Sequence, residues 1–232
     1  MNYLDYLRTD KFPHFWCSGC GNGIVLCAIA RAFEELDLTL ENTVVVTGIG
    51  CWGKADDYVR TNSFHGTHGR ALAFATGIKL ANPSLNVVVL MGDGDGITIG
   101  GNHFIHAARR NVDVTAILVN NFNYGMTGGQ YSGTTPEERI TTTSRYGHIE
   151  EGFDICAVAK AAGARYVARA STENPQQLKN LIRDGIKKQG FACIEAISPC
   201  PTHFGRNNGM RSPAALMRWV NENSVTPAQA VA

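Results

Sequence analysis

Most apolar residues in this chain fall in short unbroken runs instead of alternating with polar ones. Five segments read as strands: Thr43–Thr47, Val87–Met91, Val114–Val119, Arg165–Arg169 and Phe191–Ile197. A strand with one wet face alternates, whereas a continuous run is what a parallel sheet covered on both faces requires. Between the runs, helical spacing recurs over Gly21–Leu36, Gly69–Ala81, Gly101–Arg110, Phe153–Ala162 and Pro175–Gln189. Strand and helix in turn predict an α/β fold, a parallel sheet with helices on both faces. Asn82-Pro83 and Gly190 punctuate helix-to-strand turns. Asn121–Tyr146 shows neither period and is rich in Gly, Thr and Ser; a long loop of this kind inside a compact domain is usually functional. No repeat or interdomain linker interrupts the pattern, so residues 1–232 are expected to form one domain.

Composition narrows the classes. At 232 residues and 44% hydrophobic the chain is long enough for one well-buried core. Lys+Arg 21 against Asp+Glu 20 gives a formal charge of +1, which argues against nucleic acid or an anionic membrane as partner. The apolar runs are too short to span a bilayer, and MNYLDYLRTDKF lacks a signal-peptide core. The expected location is cytoplasmic.

Candidate chemistry gathers where strands end. GDGDG follows Val87–Met91, and Asn120-Asn121 follows the run ending at Val119. Asp93 and Asn121 are 28 residues apart, enough for a strand–helix–strand crossover that returns both to one sheet edge. Ligands in such folds bind at that edge. A carboxylate, an amide oxygen and backbone carbonyls are hard ligands that suit Mg²⁺, with diphosphate oxygens completing an octahedron. Asp95 offers a second reading as the ligand, with Asp93 a turn residue; Asp93 is preferred because it sits closer to the strand end. No GxxxxGK[ST] is present, so a Walker-type loop is not the answer.

The seven cysteines divide. Cys27, Cys156 and Cys193 lie inside apolar elements and read as small buried hydrophobes. Cys17 and Cys20 (CSGCG), Cys51 (GIGC) and Cys200 (SPCP) lie at element termini that a parallel sheet could bring together. Four such thiolates suit either a [4Fe–4S] cluster or a structural zinc. CxxC alone also matches a redox pair.

Gly-Asp-Gly followed at this distance by Asn-Asn resembles the diphosphate-binding motif of thiamine diphosphate enzymes. With CSGCGNG, GIGC, FHGTHGRALAFATGIKLANP, GDGDGITIGGNHFIHAARRN, NNFNYGMTGGQYSGTTP and SPCPTHFGRNN, nearly the whole chain resembles the β subunit of the 2-oxoacid:ferredoxin oxidoreductases. That resemblance implies a thiamine diphosphate-binding domain in which Asp93, Asn121 and the Asn123 carbonyl hold Mg²⁺. It implies that Cys17, Cys20, Cys51 and Cys200 ligate one [4Fe–4S] cluster. Cys51 and Trp52 would line the cofactor cleft, Gly92, Gly94 and Asp95 would meet the diphosphate, and Gly125 with Met126 would close over it. His68 would approach the cofactor, with His65 a further candidate, and Lys54 would meet the substrate carboxylate.

The reaction so implied is oxidative decarboxylation of a 2-oxoacid with coenzyme A, electrons leaving through the cluster to ferredoxin. 2-Oxoglutarate is favoured over 2-oxoisovalerate or pyruvate, and Arg206 could pair a second substrate carboxylate. A separate α subunit would supply the pyrimidine-binding domain, and γ and ferredoxin-like δ subunits could complete the complex. Two other readings stay open: a non-redox thiamine-dependent decarboxylase or synthase half with structural zinc, and a non-catalytic iron–sulfur module. The chain departs from the family after Cys51, where WGKADDYVR replaces a small, proline-containing run. Asp56 and Asp57 in this run could alter the pocket or face solvent.

Overall fold

A computed structural model describes residues 1–225; the expected end of the domain at residue 232 lies outside the described residues. Six strands form one sheet: β1 (Thr43–Thr47), β2 (Asn62–His65), β3 (Asn86–Gly92), β4 (Thr115–Asn120), β5 (Tyr166–Ser171) and β6 (Ala192–Ile197). Their order is β2-β1-β3-β4-β6-β5, and every neighbouring pair is parallel. The helices are α1 (Asn22–Glu35), α2 (Ala71–Ala81), α3 (Gly101–Arg109), α4 (Ile155–Ala161), α5 (Pro175–Lys187) and α6 (Pro213–Glu222).

Burial explains the unbroken apolar runs. Val45, Val88, Leu90, Ile117, Val119 and Ile194 point to one face, where α1 packs with Val25, Ile29 and Phe33 and α5 with Leu178 and Ile182. Their neighbours Val44, Val46, Val87, Val89, Met91 and Leu118 point to the other, under Leu72 of α2, Phe104 of α3 and Ile155 of α4. Both sides of each central strand are dry, so both sets must be apolar. Filling each side with Val, Ile, Leu or Phe contributes about 1.5–3 kcal/mol per side chain.

Sequence reading located five of the six strands and five of the six helices. β2 escaped because it is a short edge strand whose four residues are all exposed. α6 has its own start signals. Ser212 caps it by accepting from Ala215 N at 3.2 Å, and Pro213 takes the first helical position. Among the described residues no helix is long and apolar enough to cross a membrane.

Register sets the stage for chemistry. Gly92 pairs with Val119, and Asn120 with Ile197. The chain therefore leaves β3, β4 and β6 side by side, at Asp93, Asn121 and Ser198.

Candidate functional site

A cleft opens at the carboxyl ends of β1, β3 and β4. Its walls include Cys51 and Trp52 after β1, Gly92 to Asp95 after β3, and Asn121, Asn123, Gly125 and Met126 after β4, with His68 from the turn before α2. Eleven of the residues expected from the sequence thus share one cleft. Its volume is only ≈ 70 Å³, against about 300–1,000 Å³ for a complete small-molecule pocket. Larger hollows lie away from these residues, on the far side of Thr134, beside α1 and between α2 and α3.

Asp93 is 1% exposed and held from behind. Its Oδ2 accepts from Ser132 Oγ at 2.5 Å and from Thr134 Oγ1 at 2.7 Å, while Oδ1 meets only the Asn121 N–H, at 3.3 Å. One carboxylate oxygen is saturated, and the other is nearly free. Burial pushes the Asp93 carboxyl above its ordinary value, and the hydroxyl and amide donors pull it back in part. A π-helical turn over Gly94–Ile99 then carries the chain into α3; such turns recur at functional sites. The Tyr124 ring lies where a side chain on Gly94 would stand, and its hydroxyl donates to Gly94 O at 3.2 Å.

Asn121 and Asn123 flank Phe122, whose φ of 64° is left-handed. That conformation disfavours a residue with a Cβ. It is held because the Phe122 ring packs between Phe204 and Trp219 and its carbonyl accepts from Thr135 Oγ1 at 2.8 Å. The turn lets Asn121 and Asn123 face the same cleft, with Asn121 Oδ1 accepting from Asn123 N at 3.1 Å. Asn123 is 2% exposed, and neither atom of its side-chain amide has a hydrogen-bond partner. A buried amide without partners costs about 1–3 kcal/mol, and a polar ligand arriving in the cleft removes that cost.

Asp95 faces a different way. Its Oδ1 accepts from His68 Nδ1 at 2.6 Å, Gly69 N at 2.7 Å and Ile49 N at 3.3 Å. A proton on Nδ1 is committed to this carboxylate, which leaves Nε2 as the ring nitrogen free to meet a ligand. Gly48 makes room for this arrangement, because any Cβ there would overlap the Asp95 carboxylate.

The four terminal cysteines also converge. Burial, with a contribution from the charges of Cys17 and Cys200, pushes Cys20 up to about 12 and Cys51 up to about 11. Thiolates so close and so buried repel one another unless cations lie among them. Cys17 is exposed and the other three are partly covered. Trp16 packs on Trp52 and Tyr58 and donates from Nε1 to Cys51 O at 2.6 Å, which pins the loop after β1. The Cys200 N–H donates to Asn121 O at 3.1 Å, tying the last cysteine to the turn after β4. Cys51 belongs to both groups, since it also lines the cleft.

Some expected residues stand apart. Lys54 pairs with Asp57 at 2.7 Å and is not part of the cleft wall. His65 turns its Nδ1 to Asp56 at 3.1 Å and Thr47 Oγ1 at 3.0 Å, bracing the β2 edge; this also gives Asp56 a role. Arg206 is exposed. Sequence reading missed Ser132 and Thr134, which hold Asp93 from the long loop; their only signal was that the loop is rich in hydroxyls. Cys156 differs from a plain buried hydrophobe, because its Sγ lies 3.4 Å from Glu195 Oε2. Asp154, Cys156 and Glu195 cluster like metal ligands. The positive charge there is Arg169, which reaches Glu195 Oε2 and Asp154 Oδ1, both at 2.6 Å.

Residues 47–196 match the family described as thiamine pyrophosphate enzyme, C-terminal TPP binding domain. The chain is 53% identical over 229 residues to the 2-oxoglutarate synthase subunit KorB of Methanothermobacter marburgensis, an alignment spanning 99% of this chain and 80% of the relative. It is 43% identical over 221 residues to subunit beta of 2-oxoacid:ferredoxin oxidoreductase 2 of Aeropyrum pernix, covering 95% of this chain and 68% of the relative. A solved 2-oxoglutarate:ferredoxin oxidoreductase from Magnetococcus marinus, with 2-oxoglutarate, coenzyme A and succinyl-CoA bound, superimposes with a TM-score of 0.84 at 40% identity. The match covers 87% of this chain and 69% of that one.

Proposed function

This chain belongs to the β subunits of the 2-oxoacid:ferredoxin oxidoreductases, and from that premise we propose that it is the metal–diphosphate half of a 2-oxoglutarate-oxidising site. It is a subunit of an enzyme that acts with partner subunits, and it carries a thiamine diphosphate-binding domain. The observation that carries the proposal is a partnerless buried Asn123 amide sharing one cleft with the nearly free Asp93 Oδ1, Asn121 and Cys51.

In this reading Asp93 Oδ1, the Asn121 side chain and the Asn123 carbonyl hold Mg²⁺, a set of hard oxygens that fits that ion. Gly92 and Gly94 give the diphosphate close access to the backbone, and Gly125 with Met126 covers it. Thiamine diphosphate, when bound, supplies the carbanion stabilisation that 2-oxoacid decarboxylation needs. Asp95 serves by orienting His68, since a second carboxylate aimed at a diphosphate would repel it. His68 then offers Nε2 to hold a proton at the cofactor or substrate. Lys54 and His65 stand outside the cleft wall, and Lys54 meets a substrate carboxylate only by leaving Asp57.

Cys17, Cys20, Cys51 and Cys200 fit a [4Fe–4S] cluster better than zinc. A tetrahedral zinc with bonds of about 2.3 Å draws its sulfurs to about 4 Å of one another. Among the described residues no three of these sulfurs lie within 4.8 Å of one another. A cluster, with an iron for each thiolate, spreads its ligands wider. Cys51, on both the cleft and the cluster, gives electrons a short path, and the exposed Cys17 marks where ferredoxin or a ferredoxin-like δ subunit would receive them. The small cleft supports a half-site, whose other wall is the α subunit's pyrimidine-binding domain, with a γ subunit in some assemblies. Coenzyme A takes the acyl group, two electrons leave per 2-oxoacid, and CO₂ is released.

The test is viologen reduction by the chain assembled with its partner subunit, using a panel of 2-oxoacids with coenzyme A. We expect kcat/KM for 2-oxoglutarate to exceed that for pyruvate or 2-oxoisovalerate by about tenfold or more. A preference for pyruvate or 2-oxoisovalerate would overturn the substrate assignment.

A further inference from the structure

Behind Asp93 a row of buried polar side chains crosses the sheet away from the cleft. Thr134 Oγ1 lies 2.7 Å from Asp93 Oδ2 and 3.0 Å from Asn120 Oδ1. The hydroxyl has one proton to give, and Asp93 Oδ2, Asn120 Oδ1 and the Ser132 Oγ at 3.1 Å compete for it. Asn120 is fixed from both ends: its Nδ2 donates to Glu195 Oε1 at 2.8 Å, and its Oδ1 accepts from Phe122 N at 3.2 Å. Glu195, 1% exposed on β6, accepts on its other oxygen from Arg169 Nε at 2.6 Å. The row ends at Arg169, on the wall of a hollow of ≈ 520 Å³.

We propose that Glu195 and Asn120 are positioning residues for the metal ligand Asp93, acting through the Thr134 hydroxyl; this rests on the reading of Asp93 as a Mg²⁺ ligand. The argument is one of hydrogen-bond polarity. A carboxylate at Glu195 accepts only, so the Asn120 amide must turn its NH₂ toward it and its carbonyl toward Thr134. That carbonyl draws the Thr134 proton away from Asp93 and leaves the carboxylate more of its charge for a cation. Glu195→Gln breaks this polarity. The Gln oxygen stays with Arg169 and its NH₂ faces the Asn120 NH₂, so Asn120 must either draw back or flip at the cost of its bond from the Phe122 N–H. Either way its carbonyl no longer competes for the Thr134 proton, which shifts toward Asp93. No residue touching the cation has changed, yet its ligand is weakened. A purely structural Glu195 would alter stability and nothing else.

The probe is Mn²⁺ in place of Mg²⁺, titrated by electron paramagnetic resonance into the chain assembled with its partner subunit in the presence of thiamine diphosphate. We expect Glu195→Gln to raise the Mn²⁺ dissociation constant about tenfold, within the roughly 10–100-fold range of residues that orient metal ligands. In a Thr134→Val background, where there is no proton to redirect, the same substitution changes it less than about twofold, the non-additivity of a shared route. Asn120→Ala removes the competing carbonyl from the other end. It gives the same pattern and serves if Glu195→Gln does not assemble. Unchanged Mn²⁺ affinity in both variants, or a loss that persists undiminished in the Thr134→Val background, overturns the proposal. Asp93→Asn separates the two layers. If it loses Mn²⁺ while Glu195→Gln binds normally, the positioning role alone is wrong. If Asp93→Asn binds Mn²⁺ like the parent, the ligand assignment and the positioning role fall together.

Discussion

Asp93→Asn is expected to make the metal-free protein melt higher at neutral pH while lowering turnover of the assembled enzyme by about 100-fold or more. Burial holds the Asp93 carboxyl above its ordinary value, and Ser132, Thr134 and the Asn121 N–H offset only part of that. An acid whose folded-state pKa is raised costs stability above its unfolded pKa. The penalty grows as pH climbs toward the folded value and stays constant beyond it. An isosteric amide removes that penalty and still accepts from both hydroxyls. It also removes the charge that draws the cation, and a catalytic metal contributes several kcal/mol, each ~1.36 kcal/mol being tenfold in rate. Thermal melts with and without Mg²⁺ and thiamine diphosphate read both effects. Metal at roughly 100 times its dissociation constant stabilises the parent by about 2.7 kcal/mol, and the Asp93→Asn variant gains far less. A variant that melts lower without metal, or that keeps its activity, would contradict the assignment.

Cys200→Ser should remove the cluster and with it electron transfer to an external acceptor, again by about 100-fold or more, because serine is a hard and poorly ionised substitute for a thiolate. Iron and sulfide content per chain and the visible absorbance should fall together. Cys27→Ser is the control: Cys27 lies within α1 and is not among the thiols whose charges act on Cys20 and Cys51, so the iron content of this variant should match the parent's. Full iron in the Cys200→Ser variant would show that the fourth ligand lies elsewhere. Zinc in place of iron in the anaerobically purified parent would favour the non-redox alternative.

Most of the fold was legible because burial on both faces leaves a strong local trace: Val87–Met91 and Val114–Val119 have little choice but to be central parallel strands. β2 left no such trace, since an exposed edge strand has no face to fill. The cleft was legible for the same reason as the strands. Asp93 and Asn121 follow directly from β3 and β4, so pairing Gly92 with Val119 brings them together without further information. Residues whose roles depend on side-chain direction were not legible. Asp95 could face diphosphate or His68 from the same backbone position; the contact of its Oδ1 with His68, in the space left by Gly48, appears only in three dimensions. Ser132 and Thr134 reach Asp93 from a loop without period, and Glu195 and Arg169 meet because β5 and β6 are neighbours in register. Lys54 and His65 show the converse: each lies close in sequence to the cleft, yet local pairing with Asp57 and Asp56 holds it aside.

In the proposed reading these residues form a clamp for one end of a cofactor, coupled through Cys51 to an electron store and completed by another chain. The most direct test is anaerobic: the chain assembled with its partner subunit, loaded with Mg²⁺ and thiamine diphosphate, is mixed with 2-oxoglutarate and coenzyme A while the visible iron–sulfur absorbance is followed. The account predicts bleaching that requires both subunits and is lost in Asp93→Asn. Absorbance that does not change on adding the 2-oxoacid, or bleaching by this chain without its partner, would contradict it.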